Sequence, residues 1–266
     1  MRIGLALGGG FARGIAHIGV LKALEELGVQ LSLIAGTSAG SIIGALFAAG
    51  YTVSELTHIA RHTTWRDLSH LVVPRRSVLG ATRLEKKLDE FLVGKSFADL
   101  DLPFFAVCTD LYSAEKVILR SGPVASAVRA SCSAPGIFPP VERAGRLLVD
   151  GGMMENVPVM TAREMGAQYA IGVDLYASIT AQRRIGGIVD VLLRSFEISQ
   201  RLQCLPQSQS ADVCIMPQLA GESLVDLSRT DQYIERGYEA AILHRDDLLR
   251  LKELGKQGRG KLSLSD

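Results

Sequence analysis

The sequence of 266 residues has no long apolar run, no excess of either charge and no paired cysteines. Each absence removes a class of protein. No stretch approaches the roughly 18 consecutive apolar residues that would span a bilayer, so an integral membrane protein is not expected. Basic residues number 29 against 28 acidic ones, for a net charge of +1, which leaves no electrostatic footprint for nucleic acid. Cys108, Cys132, Cys204 and Cys214 make no CxxC pair and no cluster with histidine. They read as reduced, mostly buried thiols, not as a disulfide frame or a zinc site. The apolar start, Ile3 to Leu7, ends in glycines and is too short for a secretory signal. There is no Pro/Ser-rich linker, repeat or low-complexity block. These readings predict a cytoplasmic protein with one domain over residues 1–254 and a flexible tail over 255–266, rich in Gly, Lys and Ser.

What is present is an alternation of short apolar runs with helical patterns. Strands are predicted at 3–7, 31–35, 104–109, 116–119, 147–149, 170–173 and 213–216. Helices are predicted behind Gly14, with Ile15, Ile18, Leu21, Leu24 and Leu27 on one side and Gly28 as the stop, and again over 40–49, 53–63, 82–92, 187–203 and 230–254. Fully apolar strands between helices imply an α/β layered domain with a mainly parallel sheet.

Three segments carry chemistry. Gly36-Thr37-Ser38-Ala39-Gly40 is a G-x-S-x-G sequence between an apolar strand and a helix. That is the context of a nucleophile elbow, where glycines let strand and helix pass closely while the serine stays accessible. Gly8-Gly9-Gly10-Phe11-Ala12-Arg13-Gly14 follows the first strand. A dinucleotide fingerprint starting at Gly8 would need glycine where Arg13 stands, and a P-loop starting at Gly9 would need Lys and Ser/Thr where Ile15 and Ala16 stand. The remaining chemistry is a glycine turn whose amides face an oxyanion, with Arg13 adding charge; such donors contribute about 3–4 kcal/mol each. Asp150-Gly151-Gly152 closes an apolar strand and sets a carboxylate at a cleft edge, although an Asp-Gly turn alone is common. None of the five histidines follows the order of an α/β-hydrolase triad: His244 comes late but lies in a charged, solvated helical stretch, and His17 reads as a packing or hydrogen-bonding residue behind the glycine loop. Asp150 is therefore the candidate base for Ser38.

Four blocks in this order resemble the patatin-like phospholipases, whose bacterial members are similar to the catalytic domain of neuropathy target esterase. They are the Gly8–Gly14 loop with its continuation Ala16 to Leu21, the Gly36–Gly40 elbow, the segment Ala130 to Pro140, and Asp150-Gly151-Gly152. Thr109-Asp110-Leu111 with Glu115 is a weaker match. The resemblance covers about two-thirds of the chain. It implies a three-layer α/β/α fold and a Ser38–Asp150 dyad without histidine. It also implies an oxyanion hole at Gly8, Gly9 and Gly10 with Arg13, and lipid acyl-ester hydrolysis without metal or organic cofactor. Gly36, Gly40, Gly151 and Gly152 support the two catalytic turns. Phe11 departs from the family, which favours a small residue there, and it either narrows an acyl pocket or points outward.

Two rivals are a phosphate or nucleotide binder using the glycine loop and a catalytically idle adaptor. The missing Lys and glycine oppose the first, and the intact Ser38 and Asp150 oppose the second. A transient membrane contact is expected at residues 65–80, where Trp65, an apolar run and Arg75-Arg76 adjoin.

Overall fold

A computed structural model describes residues 1–71, 76–178 and 185–260, with side chains left out at 71 and 256–260. Strand β1 (Ile3–Leu7) leads through a 3₁₀ turn (Phe11–Ile15) into helix α1 (Ala16–Leu27), and β2 (Leu33–Thr37) turns directly into α2 (Ala39–Ala48). After these come α3 (Val53–His62), α4 (Trp65–Leu68), a small antiparallel pair β3 (His70–Leu71) and β4 (Leu79–Gly80), and α5 (Thr82–Leu92). The middle of the chain supplies β5 (Phe104–Asp110), β6 (Glu115–Leu119), α6 (Val124–Ser131), β7 (Val141–Arg143) and β8 (Arg146–Asp150). The last part supplies α7 (Val159–Glu164), β9 (Tyr169–Val173), α8 (Ile188–Gln209), β10 (Val213–Ile215), α9 (Thr230–Leu243) and α10 (Arg245–Gly260).

The main sheet runs β10-β9-β1-β2-β5-β8-β7, with β6 added to β5. From β10 to β5 all neighbours are parallel. The other end is antiparallel, because β5–β6 and β7–β8 are hairpins and β8 pairs back onto β5. The β7–β8 turn uses Ala144 and Gly145 at φ 50° and 75°, the left-handed pair that a two-residue hairpin turn requires. Successive crossovers run outward from β1 to β5 and back from β8 to β9. Right-handed connections then set α1 and α2 on one face and α7 on the other. The contacts agree: α2 lies on β2 and β5, and α7 on β1 and β9. This is a three-layer α/β/α fold.

Local chemistry explains the element ends. Helix α1 stops at Gly28, φ 68°, whose N–H and that of Val29 return to the Glu25 and Leu24 carbonyls, a left-handed C-cap that glycine adopts without strain. The predicted helix over 230–254 is two helices that part at His244. Helix α10 then continues through Gly260, so residues 255–260 are helical where a tail was expected. Leu248 and Leu251 are buried and nucleate that helix well enough for it to propagate outward. Residues 261–266 lie outside the described residues. The main apolar core runs from Ile3 to Leu251 and includes residues of all the parallel strands, with a smaller cluster of Cys108, Ala130 and Leu148 beside it.

Candidate active site

Ser38 is the residue between β2 and α2. Its backbone sits at φ 52° and ψ −124°, a conformation rare for a side chain larger than hydrogen and one that concentrates at functional turns. The fold imposes it by close approach: a Cβ on Gly40 would lie 2.1 Å from the Leu7 carbonyl oxygen, and one on Gly36 would lie 2.6 Å from the Ser41 Cα. The turn is also held by hydrogen bonds. The Ser38 N–H donates to Ser131 Oγ at 2.9 Å, Ser131 Oγ donates to the Val107 carbonyl at 2.7 Å, and Ser41 Oγ donates to the Ser38 carbonyl at 2.6 Å. Ser131 is thus a brace for the nucleophile turn, reaching it from the end of α6.

Asp150 ends β8 and is wholly buried. Its N–H donates to the Ser133 carbonyl at 3.0 Å, and its carbonyl accepts from Thr109 Oγ1 at 3.1 Å. Oδ1 accepts from the Gly152 N–H at 2.8 Å. Oδ2 is buried without an aligned donor. The Ser38 hydroxyl nonetheless lies close enough to ease the negative charge. Catalytic hydrogen bonds commonly tighten only when substrate arrives. Burial is the larger influence and pushes the Asp150 carboxyl up to about 6, against the Ser38 hydroxyl and the Gly152 amide, which pull it down.

The glycine loop passes beside the serine. A Cβ on Gly9 would lie 2.6 Å from Asn156 Oδ1 and 3.1 Å from Ser38 Cβ, so only glycine fits. The Gly8 N–H is donated to the Val173 carbonyl and the Gly9 N–H to the Asn156 carbonyl, at 3.1 and 3.3 Å. Those two amides therefore fix the loop and do not face an oxyanion. Among the described residues the Gly10 amide has no such acceptor. The Ala39 amide, at the start of α2, is the natural second donor, because the first amides of a helix lack intrahelical partners. Arg13 departs from expectation. Its Nη1 pairs with the buried Glu197 Oε1 at 2.8 Å, and its Nε donates to the half-buried Glu222 carbonyl at 3.2 Å. Its charge is neutralised behind the loop and stays away from the serine.

His17 holds the loop from below: Nε2 lies 2.7 Å from the Gly8 carbonyl, to which it donates in the neutral ring. Burial pushes the imidazole down to about 4, so it is uncharged at neutral pH. It orients the loop, in agreement with the packing role read from sequence. Phe11 stands at φ 51°. It lines the cavity beside Ser38 and packs edge-on against Phe196, ring centres 6.0 Å apart, so its ring narrows the pocket wall.

That cavity extends from Ser38 between α2, α3 and α5 and is partly open to solvent. Ile42, Ile43, Leu46, Leu56, Leu88 and Phe91 are among its lining, which is almost wholly apolar. Trp65 and Leu68 of α4 line it too, and Trp65 Nε1 donates to the Val225 carbonyl. The segment 65–80 expected at a membrane thus contributes its first helix to the pocket, while residues 72–75 lie outside the described residues. Behind the dyad are polar groups that sequence reasoning missed. Asn156 Oδ1 and both amide atoms of Gln200 are buried without partners among the described residues, and Asn156 Nδ2 donates to Cys204 Sγ at 3.2 Å. All four cysteines are free thiols. No grouping of His, Cys, Asp or Glu suited to a metal occurs among the described residues.

A serine on a strained strand-to-helix turn with a glycine loop alongside defines a structural class: α/β folds with nucleophile-elbow geometry. Within that class the chain belongs to the patatin-like phospholipase family, whose profile matches residues 5–163. It is 41% identical over 180 residues to an uncharacterized NTE family protein of Mycobacterium tuberculosis, covering 66% of this chain and 50% of that one. It is 31% identical over 290 residues to a lysophospholipase of Cryptococcus neoformans, covering 97% of this chain and 18% of that one. The chain thus spans half or less of the length of these relatives. In fold it is similar to VipD from Legionella pneumophila, with a TM-score of 0.62 at 15% identity, over 94% of this chain and 67% of that one.

Proposed function

We propose that this chain is a lipid acyl-ester hydrolase that works through a Ser38–Asp150 dyad. The observation that supports the reading is Ser38 lining an apolar cavity while its hydroxyl acts on the buried Asp150 carboxyl. The almost wholly apolar lining suits an acyl chain. The carboxyl then lies at Ser38 and the polar headgroup at the mouth. Asp150 Oδ2 takes the Ser38 proton as Oγ attacks the ester carbonyl. The Gly10 and Ala39 amides hold the oxyanion, and the proton passes from Asp150 to the departing alcohol. A water then gives its proton to Asp150 and attacks the acyl-enzyme, releasing the fatty acid and freeing Ser38.

A carboxylate pushed up to about 6 is ionised at neutral pH yet basic enough to accept a proton, which suits a general base. The relatives described as phospholipase and lysophospholipase favour phospholipid or lysophospholipid as substrate, met at a membrane surface from the cytoplasm. Fatty-acid release from lysophosphatidylcholine and phosphatidylcholine, measured with the native chain and Ser38→Ala, tests the reading. Release by the native chain alone supports it; equal release by both overturns it.

A further inference from the structure

Helix α8 is amphipathic in the wrong direction for a soluble protein. Its buried positions are Leu193, Glu197, Gln200, Cys204 and Ser208, mostly polar. Its exposed positions include Ile188, Val191, Ile198, Leu202 and Leu205, with Leu202 at 74% and Leu205 at 60% exposure. At about 100° per residue those five fall within roughly one quadrant of the helix, opposite the buried set. The inward face is explained by the site. Glu197 neutralises Arg13 behind the glycine loop, Cys204 accepts from Asn156, and Ser208 Oγ donates to Asp174 at 2.9 Å. Among the described residues nothing inside the fold explains the outward stripe, and contiguous apolar surface of that kind marks a docking face.

We propose that the outward face of α8 is the surface by which this protein lies on a lipid bilayer, with the helix parallel to the membrane plane. The inference rests on the lipid-hydrolase reading of the site and adds where the substrate enters. Three observations favour a membrane over a second copy of the chain. First, α8 flanks the acyl cavity: Phe196, on another side of the helix from the stripe, packs on Phe11, which lines it. Second, the exposed Arg201 borders one side of the stripe and no acidic residue falls within it, a pattern suited to anionic headgroups; Arg194, on the same border, is paired inward with Glu197 at 2.6 Å. Third, Pro206 lies inside the helix and has no N–H for the carbonyl of Leu202. A dry protein interface would strand that carbonyl, whereas the headgroup zone keeps it hydrated.

The test compares the native chain with Leu202→Glu/Leu205→Glu, and separately with Ile198→Glu. Each is sedimented with vesicles of phosphatidylcholine and phosphatidylglycerol at three to one. Each is also assayed on the soluble ester p-nitrophenyl butyrate and sized by light scattering. The native chain is expected on the vesicles, the double variant at least tenfold less bound and the single variant intermediate, with butyrate hydrolysis and molecular mass unchanged in all. Equal vesicle binding by native chain and variants overturns the proposal. So does a native dimer that the variants convert to monomers without loss of vesicle binding, which would assign the face to a second copy. A native chain that binds vesicles through α8 but does not hydrolyse butyrate would count against the hydrolase reading and leave the docking surface standing.

Discussion

Replacing Asp150 with asparagine should abolish catalysis and at the same time make the protein more stable. In the fold the carboxyl is raised from 3.8 to about 6. Above pH 6 the native state therefore holds a charge that the unfolded chain carries at lower cost. The penalty is about 2 pKa units at 1.36 kcal/mol each, or roughly 3 kcal/mol. The sign follows from proton counting. Between the unfolded and folded pKa values the folded state binds more protons, so stability falls as pH rises through that window and is lowest above it. Asparagine keeps the bond from the Gly152 N–H through Oδ1 and sets its Nδ2 towards Ser38 Oγ, an acceptor. Net stabilisation near pH 7.5 should be about 1–3 kcal/mol, a rise in Tm of roughly 3–10 °C for a domain of this size. It should shrink to about 1 kcal/mol or less at pH 4.5, where the native carboxyl is protonated. Differential scanning fluorimetry across pH reads this directly, alongside ester hydrolysis, which should fall by about 10²–10⁴-fold. A variant that is destabilised at pH 7.5, or whose gain does not depend on pH, would refute the picture of an uncompensated buried carboxylate.

Other consequences follow from the same geometry. In the native enzyme kcat/KM should fall as pH drops through about 6, the value at which Asp150 takes up a proton. His17→Gln, which can still donate to the Gly8 carbonyl, should leave that limb in place with less than about a tenfold loss of rate; a limb that moves with His17 would contradict the assignment of the base. Ser131→Ala strands the buried Ser38 amide and Val107 carbonyl. It should cost about 2–4 kcal/mol in chemical denaturation and slow hydrolysis, with partial recovery in Ser131→Thr. Ile43→Trp in the cavity wall should lower kcat/KM for long-chain esters at least tenfold while sparing butyrate; equal losses on both would place the acyl chain elsewhere.

The parts legible in the sequence were those written over short distances. The strand at Ile3–Leu7, the elbow around Ser38 and the turn at Asp150 each announce themselves within a few residues, because turn geometry and strand burial are local demands. Partners across the chain were not legible. Ser131 braces Ser38 from 93 residues away, Glu197 reaches Arg13 across 184, and no spacing rule connects them. Arg13 shows the cost: a cation beside a glycine loop looks like an oxyanion donor until the buried glutamate that neutralises it is found. Helix α8 shows a subtler limit. Its periodicity marks two faces, but periodicity does not say which one turns inward, and here the polar face does so because the site needs it. The extent of the sheet's antiparallel end was hidden for a similar reason, since β8 pairs with β5 across the α6 segment.

The dyad itself is tested most directly by a fluorophosphonate probe, which phosphonylates an activated serine and needs no knowledge of the natural lipid. Labelled protein is digested and the modified residue located by mass spectrometry, in the native chain, Ser38→Ala and Asp150→Asn. The account predicts one adduct on Ser38 in the native chain, none in Ser38→Ala, and labelling slowed by orders of magnitude in Asp150→Asn. An adduct on Ser41, Ser131 or Ser133, or labelling that persists at the native rate without Asp150, would contradict it.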